Sequence, residues 1–359
     1  MKVLQIINSL KQGGAEKLLV ETSILYKKKG LHVEVLLLDG IKTPLYDVLI
    51  EQKIPIHQIS VSKNIYNPIN ILKVRKYIGA FDVIQVHLFP ALYWVAFANF
   101  LQLKRSKLVY TEHSSYNKRR NKLITKIIDR IVYKGYKKIV TIAKTVDENL
   151  KTHLGSRFKN FELINNGIFL EKFMTANPYK KEVFGFSAND IVIIQVSSFR
   201  YPKDQFTLIK ALSNVKHNVK LMLVGEGPLI NKAKSLVKEL ELQEHVIFLG
   251  NRCDVPRLLK TADIVVLSSH YEGLSLSCIE GMASGKPFIA TDAPGLGEVV
   301  KGAGIIFEKN NDRQLSKIIN KLINDFEYKN KIVSHCQERA KNFDINNMVS
   351  RYIEMYESL

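Results

Sequence analysis

The stretch SSHYEGLSLSCIEGMASGKPFIATDAPGLGE, residues 268–298, decides how the chain is read. A β-branched run at 264–266 leads into it, and 288–290 leads out as a second short apolar strand. Between them lie a loop carrying Glu272, Gly273 and two serines, then a helical segment beginning near Ser277 with Glu280 in its first turn. Strand, helix and strand in this order make a parallel crossover, because parallel neighbours need a long connection, usually a helix. Glu272 in the loop and Glu280 at the helix start would face one cleft together with unpaired helix N–H groups. That set suits a polyhydroxylated anion: carboxylates accept from hydroxyls, and N–H groups donate to phosphate. The competing reading is a capping box, Ser277-x-x-Glu280, in which Glu280 only closes the helix start.

The same rhythm runs outward in both directions. Strand-like runs fall at 2–7, 32–38, 83–86, 108–111, 138–142 and 161–164, with helical patterns at 15–28, 68–78, 90–101, 121–133 and 145–153. Turn signals at Asn166-Gly167, Asn177-Pro178 and 187–190 interrupt it, and strands resume at 191–196, 219–224, 245–249, 264–267 and 288–290. The pattern predicts an α/β chain of two doubly wound domains joined near residue 170, with ligands at the carboxyl ends of both sheets where these face a cleft. The expected division is 1–168, 169–335 and a helical tail, 336–359.

With 46% hydrophobic and 24% charged residues the chain has ordinary globular composition. The most apolar segment, 91–103, is thirteen residues long and includes Asn99 and Gln102, too short and too polar to span a bilayer. The N-terminus, MKVLQIINSL, is read as a first strand rather than a signal peptide. Cys253, Cys278 and Cys336 lack CxxC spacing, which argues against a disulfide framework or a zinc site and for a cytosolic protein. Net charge is +19 and concentrated: residues 1–170 hold 28 Lys and Arg against 12 Asp and Glu. A basic half implies an anionic partner. The 41 lysines against 12 arginines fit a general compositional bias or a membrane surface better than nucleic acid, whose readers lean on arginine.

Other residues carry both a chemical and a structural reading. Gly13-Gly14 after the first strand would let backbone approach a ligand, or simply make a tight turn. Gly225-Glu226-Gly227-Pro228 resembles half a dinucleotide fingerprint, although Pro228 in the first turn of a helix favours a structural turn. Arg200 and Lys203 in SSFRYPKD sit past the strand 191–196, where two cations would hold a diphosphate. His87 and His113 each end a strand, from which a histidine can reach a cleft; a lone one is more often structural, but two at equivalent ends, with Glu112 beside one, point to function. The sequence contains no DxD pair for a divalent cation. Residues 118–138 hold nine basic residues and one acid, Asp129. Apolar rows at 123/127/131 and 124/128/132 run beside Lys122, Lys126, Arg130 and Lys134, as in a membrane-surface helix or a domain helix with a solvated basic face.

Taken together, GLSLSCIEGMASGKPFIAT with its two glutamates, SSFRYPKD, GGAE at 13–16 and INNGI at 164–168 resemble the family 4 retaining glycosyltransferases of the GT-B fold, of the bacterial surface-polysaccharide type. The resemblance implies that Glu280 holds ribose hydroxyls and that Glu272 contacts the transferred sugar. Arg200 and Lys203 would stabilise the departing diphosphate, helped by backbone N–H groups around Leu274–Ser277, those of Leu276 and Ser277 among them, and by the loop at Gly14. His113 would touch the donor sugar, and the base would lie near Asn251 and Arg252. The last helix would cross back to the first domain. It further implies a nucleotide-sugar donor, a UDP-sugar by expectation, and a lipid-linked or saccharide acceptor in capsular or other surface polysaccharide synthesis. No metal or other cofactor and no nucleic acid are expected. The expected location is cytoplasmic, peripheral on the inner face of the plasma membrane. Two rivals remain open: a sugar-nucleotide epimerase on the same architecture, which needs no acceptor, and a non-catalytic nucleic-acid-binding protein. The loop 293–298, Ala-Pro-Gly-Leu-Gly-Glu, and the short Arg200–Lys203 spacing depart from the family pattern.

Overall fold

Strand β1 (Lys2–Ile7), KVLQII, is buried at every residue after Lys2. A strand covered on both faces belongs inside a parallel sheet with helices above and below. The computed structural model describes the chain except residues 12, 61–63, 104, 115–116, 118–119, 121–122, 156 and 217. It divides into two compact units, Met1–Asn166 with Asn346–Leu359, and Gly167–Ile345.

The first unit carries seven parallel strands in the order β3-β2-β1-β4-β5-β6-β7. These are β2 (His32–Leu37), β3 (Ile56–Gln58), β4 (Val83–His87), β5 (Lys107–Glu112), β6 (Lys138–Thr141) and β7 (Phe161–Leu163), with β1. Its crossovers contain α1 (Gly14–Lys28), α2 (Pro44–Glu51), α3 (Asn70–Ile78), α4 (Ala91–Phe100), α5 (Leu123–Lys134) and α6 (Lys144–Leu154). On one side Leu4, Ile6, Ile84 and Val86 pack with Val95, Val132 and Leu150; another cluster joins Ile7, Val35 and Leu37 to Leu19 and Leu49.

The second unit carries six parallel strands, β10-β9-β8-β11-β12-β13. After α7 (Leu170–Met174) come β8 (Ile191–Val196), α8 (Gln205–Leu212), β9 (Val219–Val224), α9 (Ile230–Glu239), β10 (Val246–Gly250), α10 (Val255–Thr261) and β11 (Ile264–Leu267). The remainder is α11 (Leu276–Ala283), β12 (Phe288–Thr291), α12 (Gly297–Val300), β13 (Ile305–Phe307), α13 (Asp312–Asn324) and α14 (Phe326–Lys341); α15 (Ile345–Glu357) follows and, from Asn346 on, belongs to the first unit. In each sheet the winding reverses once, between β1 and β4 and between β8 and β11. Those reversals open a crevice at the strand carboxyl ends, the binding position in such sheets.

The expected break at 335 falls inside α14, so residues 336–341 stay with the second unit. Residues 346–359 belong to the first, where Tyr356 hydroxyl meets Gln85 and stands 3.3 Å from Tyr26 hydroxyl. In the second unit Ile168 N–H donates to Phe343 O at 2.9 Å and Ile345 N–H to Ile168 O at 3.0 Å. A Cβ on Gly167 would lie 2.7 Å from Ile345 Cα, so the INNGI segment needs glycine for this approach.

Candidate functional site

The site of the second unit grows from two strand ends at its reversal point. Past β8 the chain runs Ser197, Ser198, Phe199 and exposed Arg200 into a single turn, Tyr201–Lys203. Asp204 follows at φ +42° and caps α8, its carboxylate accepting from Thr207 N–H and Thr207 hydroxyl. Buried amides fix this loop. Gln195 Nε2 donates to Ser197 Oγ at 3.0 Å and to Lys203 O at 2.9 Å. Ser268, at the end of β11, donates to Gln195 Oε1 at 2.9 Å and to Asp204 O at 2.6 Å. Gln205 Nε2 reaches Ser197 Oγ at 2.9 Å and Ser198 O at 3.1 Å. Buried polar groups persist only when paired, so this network locks the backbone that presents Arg200 and Lys203. A lone glutamine in the β-branched run IVIIQV is the sequence signal that could have found Gln195.

Gly225 and Gly227 serve the same loop from β9. Their φ angles are +135° and +158°, and a Cβ would lie 2.2 Å from Ser197 O or 2.5 Å from Phe199 O. Phe199 N–H donates to Glu226 O, and Leu229 N–H to Phe199 O. These glycines therefore make room for backbone, the structural reading. Pro228 does not enter a helix: α9 starts at Ile230 with Leu229 as its cap, because the tie to Phe199 holds the chain in a turn.

Lys203 Nζ donates to Glu272 Oε1 at 2.5 Å, joining residues from the two strand ends. Their side chains are 23% and 9% exposed. A diphosphate at Lys203 must share or displace this partner. Glu272 N–H donates to Pro294 O at 2.9 Å, and a Cβ on Gly295 (φ +80°) would lie 2.2 Å from Glu272 O. The departing 293–298 loop thus holds the Glu272 backbone.

The capping box fails. Helix α11 starts at Leu276 with Ser275 as its cap and without a side-chain capping bond. Glu280 is then the fifth helical residue, past the first turn, and is 5% exposed. The start moved because Ser275 adopts the extended cap conformation and its carbonyl accepts from Cys278 and Ile279. Leu276 and Ser277, both half-buried, supply N–H groups ahead of those bonds. Asn251, exposed, follows β10; Arg252 forks onto Asp254 at 2.8 and 2.6 Å and holds that carboxyl down at about 2.

In the first unit Gly14 is the exposed first residue of α1, and the Glu16 carboxylate folds back over Gly13, raised in pKa by burial. His87 ends β4 and His113 follows β5. His87 Nδ1 lies 2.9 Å from His113 Nε2, and His87 Nε2 lies 2.8 Å from Gln5 Oε1. Burial pushes His113 down to about 4 and holds His87 well below the usual imidazole range, the neighbouring ring adding to the effect on His87. Glu112 is not part of this pair; it binds Arg120 and Tyr133 hydroxyl and anchors the segment leading into α5.

In α5, Ile128 and Val132 pack into the core, whereas Leu123, Ile124, Ile127 and Ile131 are 81%, 73%, 61% and 53% exposed. Arg130 and Lys134 share the exposed face and Lys126 is half-buried. Lys118 and Lys122 of the basic stripe lie outside the described residues. No helix among the described residues is long and apolar enough to cross a membrane, and among the same residues no three His, Cys, Asp or Glu side chains group as metal ligands.

Residues 12–172 match the model of Glycosyltransferase Family 4, and 177–342 that of Glycosyl transferases group 1. An N-acetyl-alpha-D-glucosaminyl L-malate synthase of Bacillus anthracis is 29% identical over 201 residues, 55% of this chain and 52% of that protein. A UDP-Gal:alpha-D-GlcNAc-diphosphoundecaprenol alpha-1,3-galactosyltransferase of Escherichia coli is 28% identical over 208 residues, 54% of this chain and 53% of that protein. The chain thus spans about half the length of these curated relatives. Anabaena Alr3699/HepE in complex with UDP and glucose superposes with a TM-score of 0.88 at 25% identity, over 100% of both chains.

Proposed function

This chain belongs to the family 4 glycosyltransferases and has the GT-B fold, and from that premise we propose that it moves a sugar from a UDP-sugar to a lipid-linked or saccharide acceptor, with retention and without a metal. The observation that carries the reading is the Lys203–Glu272 pair held at the reversal point of the second sheet, with buried Glu280 in the helix that follows. The likeness to a chain solved with UDP and glucose supports the donor, and the diphosphoundecaprenol acceptor in the Escherichia coli relative's name supports the acceptor class.

The chemistry follows from charge. Cleaving the sugar–phosphate bond leaves negative charge on the diphosphate and positive charge on the ring. Lys203, Arg200 and the N–H groups of Leu276 and Ser277 take the first; Glu272 orients sugar hydroxyls and favours the second. Each well-placed donor of this kind contributes about 3–4 kcal/mol to such a step. Glu280 accepts from ribose hydroxyls, and the acceptor oxygen attacks on the face the phosphate leaves, its proton passing to the departing phosphate oxygen. The exposed face of α5 would hold the enzyme at an anionic membrane surface during capsular or other surface polysaccharide synthesis.

Thermal melts against UDP-, GDP- and ADP-sugars test the donor, since a ligand of the folded state raises the melting temperature. A UDP-sugar is expected to give the largest rise, unchanged by EDTA. Stabilisation by GDP- or ADP-sugars alone, or one abolished by EDTA, would contradict the donor or its metal independence. Product formed from donor with no acceptor present would favour the epimerase.

A further inference from the structure

Gln5 and Gln85 sit opposite each other in β1 and β4, 0% and 2% exposed, between apolar neighbours in both strands. Buried amides must place every donor and acceptor, and their bonds give the pair a direction. Gln5 Nε2 donates to Gln85 Oε1 at 2.7 Å, and Gln85 Nε2 donates to Thr111 Oγ1 at 3.0 Å. Tyr356 hydroxyl donates to the same Gln85 oxygen. Gln5 Oε1 therefore faces His87 Nε2 as an acceptor, at 2.8 Å. That nitrogen must carry the proton. A neutral imidazole has one N–H, which leaves His87 Nδ1 a lone pair, 2.9 Å from His113 Nε2. His113 must then be protonated on Nε2 in its turn. The two rings are 5.2 Å apart, His87 buried and His113 half-buried, which disfavours charge on either.

We propose that Gln5, Gln85 and His87 are positioning residues that hold His113 as the neutral Nε2–H tautomer, so that its Nδ1 meets the donor sugar as a hydrogen-bond acceptor. In that state His113 receives a sugar hydroxyl and has no proton to offer the departing phosphate from that side. The sugar contact is the one the family resemblance implies for His113 and rests on the proposed glycosyltransferase function; the tautomer stands on the hydrogen bonds alone.

Long-range nitrogen–proton NMR of the full chain with labelled histidine tests the relay, the two signals being assigned by their loss in His87→Gln and His113→Gln. At neutral pH both rings should show Nε2–H and bare Nδ1. A proton on His113 Nδ1, as in a relay running the opposite way, or a doubly protonated ring, would overturn it. Turnover tests the consequence. His87→Leu should raise donor KM about fivefold to tenfold. His87→Asn, which keeps an acceptor for His113, should restore most of that loss while both variants melt alike. Equal KM in wild type and His87→Leu would overturn the positioning role. An unaltered KM in His113→Ala would remove the sugar contact without touching the spectrum.

Discussion

At Gly295 the backbone turns with φ +80° while a Cβ would strike Glu272 O and Gly273 O, at 2.2 and 2.3 Å. Gly185 has a similar φ, +76°, with nothing within 4 Å. The pair separates conformation from crowding. Gly185→Ala carries only the left-handed backbone penalty, about 1–2 kcal/mol. Gly295→Ala adds a collision with two carbonyls that cannot yield, and should cost about 2–4 kcal/mol in denaturant titrations. Equal losses would show that the 293–298 loop does not brace Glu272. Residue chemistry was partly legible in the sequence. Glu272, Glu280, Lys203 and His113 stood out by type and place. The Lys203–Glu272 bond did not, because 69 residues separate them and only the reversal of the sheet brings them together. Gln5, Gln85 and Gln195 were passed over, although an amide inside an apolar strand is itself a signal, since its burial demands partners.

At the scale of elements the long buried strands were legible, and so were the edge strands β7 and β10, but the edge strands β3 and β13 and the short helix α2 were not. Strands β1, β4, β8 and β11 are apolar runs covered on both faces. Strands β3 and β13 have three residues each, and α2 eight, too few to show a period. Helix α5 is the instructive case. Its sequence holds two apolar rows, and the fold buries only part of one: Ile128 and Val132 go inward, while Leu123, Ile124, Ile127 and Ile131 face outward beside Arg130 and Lys134. Apolar side chains flanked by cations match the interface of an anionic bilayer, where each cation near the surface adds about 1 kcal/mol. Sedimentation with phosphatidylglycerol-containing vesicles should capture the wild type and lose it with added salt. Ile127→Asp with Ile131→Asp should abolish capture while leaving the melting temperature near that of wild type. Capture of that variant at wild-type levels, or no capture of the wild type, would remove α5 from the membrane; a dimer broken by the same substitutions would assign the face to a second copy.

At the scale of the whole molecule, the charge and the topology divide the labour. Residues 1–170, with 28 Lys and Arg against 12 Asp and Glu, give the first unit its basic character, suited to an anionic acceptor or surface. The second unit carries the buried Glu272 and Glu280. Its closing helix, α14, and the returning α15 were expected as one tail; the chain passes back between them, at 345–346. That position was illegible because both segments are amphipathic helices, and only the bonds among Ile168, Phe343 and Ile345 fix it. The central claim is that this second unit grips a uridine nucleotide through Glu280. Calorimetric titration of UDP into the wild-type chain and into Glu280→Gln tests it most directly, since the amide keeps the shape and removes the charge. The account predicts saturable UDP binding to the wild type, weakened about tenfold or more in Glu280→Gln, the loss expected of a hydrogen bond to a charged group. Equal affinity in both chains, or no UDP binding to the wild type, would contradict it.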